Sequence, residues 1–203
     1  MPRRSILCAT ERTSLLSMPQ AQDDLIRLYT FSDADLAVIG QHRGAANRLG
    51  FAVQLCYMRF PGVMLESGDV PPDALLALVA SQLKVPQSVW LDYGARENTR
   101  REHLIELQTV YGFKPFTVRD YRPAIDNMTD MAMQSDKGIV LASAMVEGLR
   151  HQSVLMPAMS VIERICAEAI TRATRRIYAA LTDSLRMWSE ITSRAQPLAE
   201  TAR

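Results

Sequence analysis

Residues 44–56, which read GAANRLGFAVQLC, decide the fold class of this 203-residue chain. In and just after this stretch, apolar side chains recur at the three- and four-residue spacing of one helical face, and they are Leu49, Ala52, Val53, Cys56 and Phe60. Gly44 precedes the pattern, and the pair Pro61-Gly62 ends it. These residues predict one amphipathic helix over residues 45–60.

Helical spacing also recurs on both sides of this segment. It predicts helices over residues 33–41 (with Ser32 as N-cap), from Pro71-Pro72-Asp73 to Pro86, over a short turn through Val89 and Trp90, over residues 95–111, 117–134 and 137–151, and from Pro157 onward. No alternating strand pattern of useful length is present in the sequence. We therefore expect an all-α, multi-helical chain that ends in a long helix.

Composition excludes several classes of protein. Hydrophobic residues make up 48% and charged residues 22%, which is ordinary for a folded soluble domain. No run of eighteen apolar residues predicts a membrane span, and the N-terminus lacks the pattern of a secretory signal. The three cysteines are odd in number and far apart, so we expect buried free thiols at Cys8, Cys56 and Cys166.

Enzyme chemistry has little support in the sequence. The three histidines are far apart, and none is spaced with another histidine or a cysteine as zinc ligands are. No glycine loop that cradles phosphate and no nucleophile elbow occurs. We predict no catalytic residue, no metal site and no cofactor.

The charge balance leaves the partner open. The net charge is only +1, but 20 of the 23 basic residues are arginine, and Lys84, Lys114 and Lys137 are the rest. The planar arginine fork suits phosphates and guanine edges. A GC-rich genome produces the same bias, and both explanations stay open at this point.

A helix-turn-helix outline surrounds His42-Arg43-Gly44. A short helix, a tight turn with glycine and a longer helix follow one another there, and residues 36–65 contain no aspartate or glutamate. Arg48, Ala52, Leu55 and Arg59 fall on one helical stripe. Arg43, Asn47, Arg48 and Arg59 are therefore candidate DNA contacts. A helical hairpin with solvated arginines explains the same pattern.

Two further segments have a similar character. Residues 78–89 resemble a second helix-turn-helix, but residues 61–94 carry four acids against Lys84, so we interpret that unit as packing scaffold. The start of the next helix is rich in cations, at Arg96, Arg100, Arg101 and His103, with Lys114 and Arg119 after it. Contact with DNA phosphates and ordinary solvation explain these cations equally well.

The chain resembles the Tn-three family of transposases. The resemblance is carried by residues 46–55 (ANRLGFAVQL), followed in the family's order by TRREHL at 99–104, YGFKPF at 111–116, DKGIVLA at 136–142, EAITRA at 168–173 and RIY at 176–178. Several blocks in one order are far more specific than any single motif. The residues after Arg186 depart from the family pattern, which predicts a truncated or frameshifted end.

The resemblance implies a sequence-specific module that binds double-stranded DNA at the terminal inverted repeats of a transposon. It implies that the family's metal-dependent (DDE-type) catalytic domain lies outside the residues matched, so this chain is expected to be no enzyme. We expect a DNA-binding region over residues 1–157, with lobes 1–66 and 67–157, and then a long helix and divergent tail over 158–203. The expected location is the bacterial cytoplasm, at the nucleoid, without membrane contact. Alternatively, the chain acts by protein contact, with itself or with a full-length transposase, as an inhibitor or an inactive remnant.

Overall fold

The computed structural model describes residues 6–66, 68–93 and 97–195, and these residues are almost entirely helical. The helices are α1 Ala9–Leu16, α2 Gln22–Tyr29, α3 Asp33–Gly40, α4 Ala45–Arg59, α5 Asp73–Leu83, a 3-10 helix Gln87–Asp92, α6 Glu97–Tyr111, α7 Val118–Ala132, α8 Gly138–His151 and α9 Met159–Ala195. The all-α class and the long final helix are thus confirmed. None of the helices in these ranges is long and apolar enough to cross a membrane.

The structure adds elements that the sequence pattern did not predict. Strand β1 Lys114–Pro115 pairs in parallel with β2 Val154–Leu155, and two residues per strand are too few to show alternation. Helix α1 buries none of its own side chains, and α2 buries only Leu25 and Tyr29, so neither carries a long apolar repeat. Both lie before the first predicted helix.

The chain divides into two compact units. The first contains Cys8–Thr117 together with Val146–Ala158, and the second contains, among the described residues, 6–7, Val118–Met145 and 159–195. Helix α8 contributes its start to the second unit and its end to the first. The lobe and domain boundaries expected at residues 66 and 157 stay predictions.

Helix α4 is the centre of the first unit. Its predicted inner residues are fully buried at Leu49, Ala52, Val53 and Cys56, and α2, α3, α5, α6 and the 3-10 helix all pack against it. Burial continues on the remaining sides of the helix, where Phe51, Gln54 and Leu55 are also enclosed. The helix is therefore a core helix past its first turn, and not a half-exposed one.

The second unit is built on α7 and α9, which run in parallel. Arg172 and Arg176 of α9 pair with Asp126 and Asp130 of α7 at 3.1 and 3.0 Å. Between the helices, apolar side chains of α9 are fully buried, and they are Ile162, Ile165, Cys166 and Ala169.

The expectation of three buried thiols was wrong for Cys8. Cys56 and Cys166 are buried, but Cys8 is exposed and caps α1. Its sulfur accepts from the Glu11 amide at 3.4 Å, and the Glu11 carboxylate accepts from the Cys8 amide at 2.7 Å. This is the reciprocal capping box usually made by serine or threonine.

Candidate nucleic-acid interface

The turn between α3 and α4 forms where the sequence predicted it. Ser32 caps α3 and exchanges hydrogen bonds with Asp35, and the chain then turns through residues 41–44. Gly44 has a φ of +84°, a conformation that side chains with a Cβ rarely adopt. The glycine thus allows the sharp change of direction from α3 into α4.

The N-terminus of α4 is an open helix end. In the described structure no side chain caps it, and its first turn contains no acidic residue. The free amides of this turn carry the positive end of the helix dipole. Such an end is a natural place for an anion.

Three polar side chains surround this helix end. Arg43 is exposed, and Asn47 is half-buried and donates from its amide to the Arg43 carbonyl at 3.0 Å. Arg48 is half-buried, and its Nε is enclosed without a hydrogen-bond partner among the described residues. The helix start therefore combines free backbone donors with two arginines.

Arg59 and Arg48 do not share an exposed stripe, contrary to the sequence pattern. Ala52 and Leu55 between them are fully buried. Arg59 itself donates two hydrogen bonds, of 2.7 and 3.1 Å, to the buried Asp35 carboxylate. Burial raises the pKa of Asp35, but the hydrogen bonds from Arg59 and Ser32 outweigh it and hold the pKa at about 2.

The cations predicted at the start of α6 have different surroundings. Arg96 lies outside the described residues. Arg100 donates to the Glu66 carbonyl at 3.0 Å and lies over the Tyr93 ring at 5.4 Å. Arg101 is exposed. Of the described arginines in this segment, Arg101 is the one that faces solvent freely.

His103 is part of a buried aromatic cluster. Gln54 donates to the Tyr93 hydroxyl at 2.6 Å, and that hydroxyl lies 3.1 Å from Nδ1 of His103. The rings of Phe51 and His42 lie 5.3 and 4.6 Å from the His103 ring. Burial, and then the neighbouring His42, lower the pKa of His103 to about 4. His103 is therefore neutral at pH 7 and enclosed by the core.

The remaining predicted contacts, Lys114 and Arg119, are both exposed. Lys114 lies on β1 in the first unit, and Arg119 lies in the first turn of α7 in the second unit.

The segment over residues 78–89 has a packing role in the structure. Its second part is a 3-10 helix instead of an α-helix. The Gln82 side chain donates to the Tyr29 carbonyl at 3.0 Å and accepts from the Phe31 amide at 2.8 Å. These bonds join α5 to the chain between α2 and α3, in keeping with the scaffold interpretation.

Sequence reasoning missed Arg150, at the end of α8. Its Nε donates to the Pro61 carbonyl at 2.8 Å, and its guanidinium lies 4.2 Å from the centre of the Phe60 ring. With Arg59 and Tyr111 it lines a cavity of about 270 Å³. The sequence shows Arg150 only as a cation in the last turn of α8. Its contact with Pro61 could not be predicted, because the two residues are 89 positions apart.

Among the described residues, no group of three His, Cys, Asp or Glu side chains is arranged to hold a metal ion.

Comparisons with known proteins agree with the resemblance. A family model described as "Domain of unknown function (DUF4158)" matches residues 6–169. Over 185 residues the chain is 67% identical to the transposase for transposon Tn3926 of Escherichia coli, 62% identical to that for transposon Tn21 of Escherichia coli and 50% identical to that for transposon Tn501 of Pseudomonas aeruginosa. Each match covers 91% of this chain and 19% of the relative, so the chain spans about a fifth of their length.

The family model covers well over half of the chain, and the predicted resemblance is confirmed. The chain belongs to the family described as domain of unknown function DUF4158, and it is similar to the N-terminal region of Tn-three family transposases.

Proposed function

We propose that this chain binds double-stranded DNA at the terminal inverted repeats of a transposon, as the N-terminal part of a transposase. The observation that carries the proposal is the open N-terminus of α4, which lies between Arg43 and Arg48 in a chain similar to transposases. The strand chemistry of transposition belongs, in this proposal, to the part of the relatives that the match does not cover.

The α4 end supplies the chemistry that a DNA phosphate needs. Backbone amides at a helix start bind phosphate oxygens, and the helix dipole favours the negative charge. Arg43 and Arg48 add positive charge that no described carboxylate neutralises, unlike Arg59, which is paired with Asp35. A phosphate at this position gives the free donors an acceptor.

Base recognition at this turn depends on two side chains. Because α4 is enclosed from Leu49 onward, the helix cannot lie along the major groove and presents only its first turn. Arg43 and Asn47 are the side chains of that turn suited to guanine and adenine edges. The proposed contact is therefore end-on.

Each unit carries further exposed cations that are candidates for phosphate contact. Arg101, Lys114 and Arg119 face solvent and are available to phosphates. Arg59, Arg100 and His103 are engaged inside the fold, so we leave them out of the proposed contact set. The contact expected at Arg96 stays a prediction.

A binding titration tests the proposal. Terminal-repeat DNA and a scrambled duplex of equal composition are titrated by fluorescence anisotropy at several salt concentrations. We expect tighter binding to the repeat and an affinity that falls steeply with salt. Equal affinity for the two duplexes would contradict the proposed sequence specificity. An affinity independent of salt would contradict the proposed phosphate contacts.

Single charge removals locate the interface. Arg43→Gln and Arg48→Gln should each lower the slope of log affinity against log salt by about one. Arg175→Gln is the matched control, since Arg175 is an exposed arginine on α9 in the second unit and is not among the predicted contacts. An unchanged slope in both turn variants would move the interface elsewhere. Metal-dependent strand cleavage by the purified chain would overturn the assignment of catalysis to the rest of the relatives.

A further inference from the structure

Helix α9 extends beyond the end of α7, the helix that packs against it. Its side chains are buried against α7 as far as Ala173, and the last ion pair between the two helices joins Arg176 to Asp130. Helix α7 ends at Ala132, whereas α9 continues to Ala195. The last five turns of α9 therefore project beyond their partner in the second unit.

These turns carry a continuous apolar face. Large hydrophobic side chains that are 39–70% exposed lie on one half of the helix circumference, and they are Ile177, Tyr178, Leu181, Leu185, Met187, Trp188 and Ile191. We call this set the α9 apolar face. The charged residues Asp183, Arg186 and Glu190 fall on the opposite half. The face continues the buried stripe of the α7–α9 contact.

We propose that the α9 apolar face pairs with the same face of a second copy of this chain, as two antiparallel helices. This inference goes beyond the proposed DNA binding and does not depend on it.

The size of the face supports a stable contact. Seven large side chains with roughly 200 Å² each, about half exposed, offer up to about 800 Å² per copy. That is the area each partner contributes to a standard specific interface. An exposed apolar patch of this size on a monomer is unusual.

The order of residues along the face is self-complementary. Tyr178, Leu181, Leu185 and Trp188 follow the three-, four- and three-residue steps of a helix seam. In an antiparallel pair centred on Asp183, Tyr178 meets Trp188 of the second copy, and Leu181 meets Leu185 of the second copy. Aromatic thus meets aromatic and leucine meets leucine, with no charge in the seam.

The small Ser184 and the two flanking isoleucines complete the seam. Ser184 of each copy lies beside the twofold axis, where a small side chain lets the helices approach. Ile177 and Ile191 extend the seam at its two ends, where Ile177 of one copy lies within one helical turn of Ile191 of the other. Antiparallel helices also place opposite ends of their dipoles together, which favours this direction over a parallel pair.

The oligomeric state tests the pairing. We expect light scattering of the chain at about 50 µM, above the weakest affinities typical of this interface size, to give the mass of a dimer. Leu181→Glu combined with Leu185→Glu should give a monomer of unchanged helical content, because both leucines are exposed in the single chain. The matched control, Arg186→Glu on the polar half, should stay a dimer. A monomeric parent chain, or the same mass for both variants, would overturn the proposal.

Cross-linking tests the direction of the pair. The background is Cys8→Ser, which keeps the α1 cap. In it, the Leu181→Cys chain alone, the Leu185→Cys chain alone and a mixture of the two are each oxidised. We expect a disulfide-linked dimer only in the mixture, since these positions meet each other across the antiparallel seam. Cross-linking of either variant alone would refute the antiparallel arrangement. None of these measurements needs DNA, so their failure is distinct from failure of the proposed DNA binding.

Discussion

Replacing Arg59 with methionine removes the partner of a buried carboxylate and separates two roles for this arginine. The sequence predicted a DNA contact at Arg59, whereas the structure pairs Arg59 with Asp35. In that pair the aspartate side chain is 6% exposed and the arginine side chain is 31% exposed. The two partners thus differ in how easily each recovers water when the other is lost.

The magnitude follows from that difference. Arg59→Met leaves the buried Asp35 carboxylate unpaired, which typically costs about 3–5 kcal/mol of folding free energy. Asp35→Ala lets Arg59 turn to solvent and removes the acceptor for the Ser32 amide, for a cost of about 2 kcal/mol. In the double variant we expect a cost about 1 kcal/mol or more below the sum, because the two residues act as one pair.

The pH dependence has a definite sign. In the fold Asp35 has a pKa of about 2, below its unfolded value of 3.8, so the stabilisation by Arg59 is fully present above pH 3.8. It is lost as the pH falls through about 2. The difference in the free energy of unfolding between the parent chain and Arg59→Met should therefore become smaller as the pH falls from 3.8 toward 2.

Urea unfolding followed by tryptophan fluorescence measures these differences. In a Trp188→Phe background the remaining tryptophan is Trp90, on the 3-10 helix that packs against α4, so the signal reports on the first unit. Two results would refute the reasoning. One is a loss below about 1 kcal/mol in Arg59→Met, and the other is a DNA salt slope lowered by about one, as for a phosphate contact.

Three further changes have defined outcomes. Gly50→Ala should lower the free energy of unfolding by about 1–3 kcal/mol in urea titration, because the added Cβ overlaps the buried Tyr93 ring, and an unchanged value would contradict this packing. Gly44→Ala should cost about 1 kcal/mol through its φ of +84°, whereas Gly40→Ala, with equally open space, should be neutral or stabilising. Because the pKa of His103 is about 4 in the fold and 6.5 unfolded, the free energy of unfolding should fall by about 3 kcal/mol from pH 6.5 to 4, and His103→Gln should flatten that profile.

The parts of the fold that the sequence predicted are those with local causes. The α3 cap depends on Ser32 and Asp35, three residues apart, and the turn into α4 depends on one glycine. The buried side of α4 repeats over four turns, which is enough to define a face. Short elements with no such repeat, such as α1 and the two-residue strands, were missed for that reason.

What could not be predicted comes from partners distant in sequence. Gln54 is polar, so its sequence position predicts a solvent-facing side chain. It is nevertheless 1% exposed, because Tyr93, 39 residues away, accepts its hydrogen bond. That single contact encloses a side of α4 that the pattern left open to solvent. The surroundings of Arg59 were not predicted for the same reason, since its partner Asp35 lies 24 residues earlier. Polarity in the sequence does not distinguish solvation from a buried partner.

This sorting of cations makes the proposed DNA contact quantitative. Five predicted cations form no ion pair with another described residue, and they are Arg43, Arg48, Arg101, Lys114 and Arg119. If each neutralises one phosphate, the slope of log affinity against log salt is about −4.5. Were Arg59, Arg96, Arg100 and His103 also contacts, as the sequence alone suggested, the slope would approach about −8. The slope therefore measures how many of the arginines are free for DNA and how many hold the fold together.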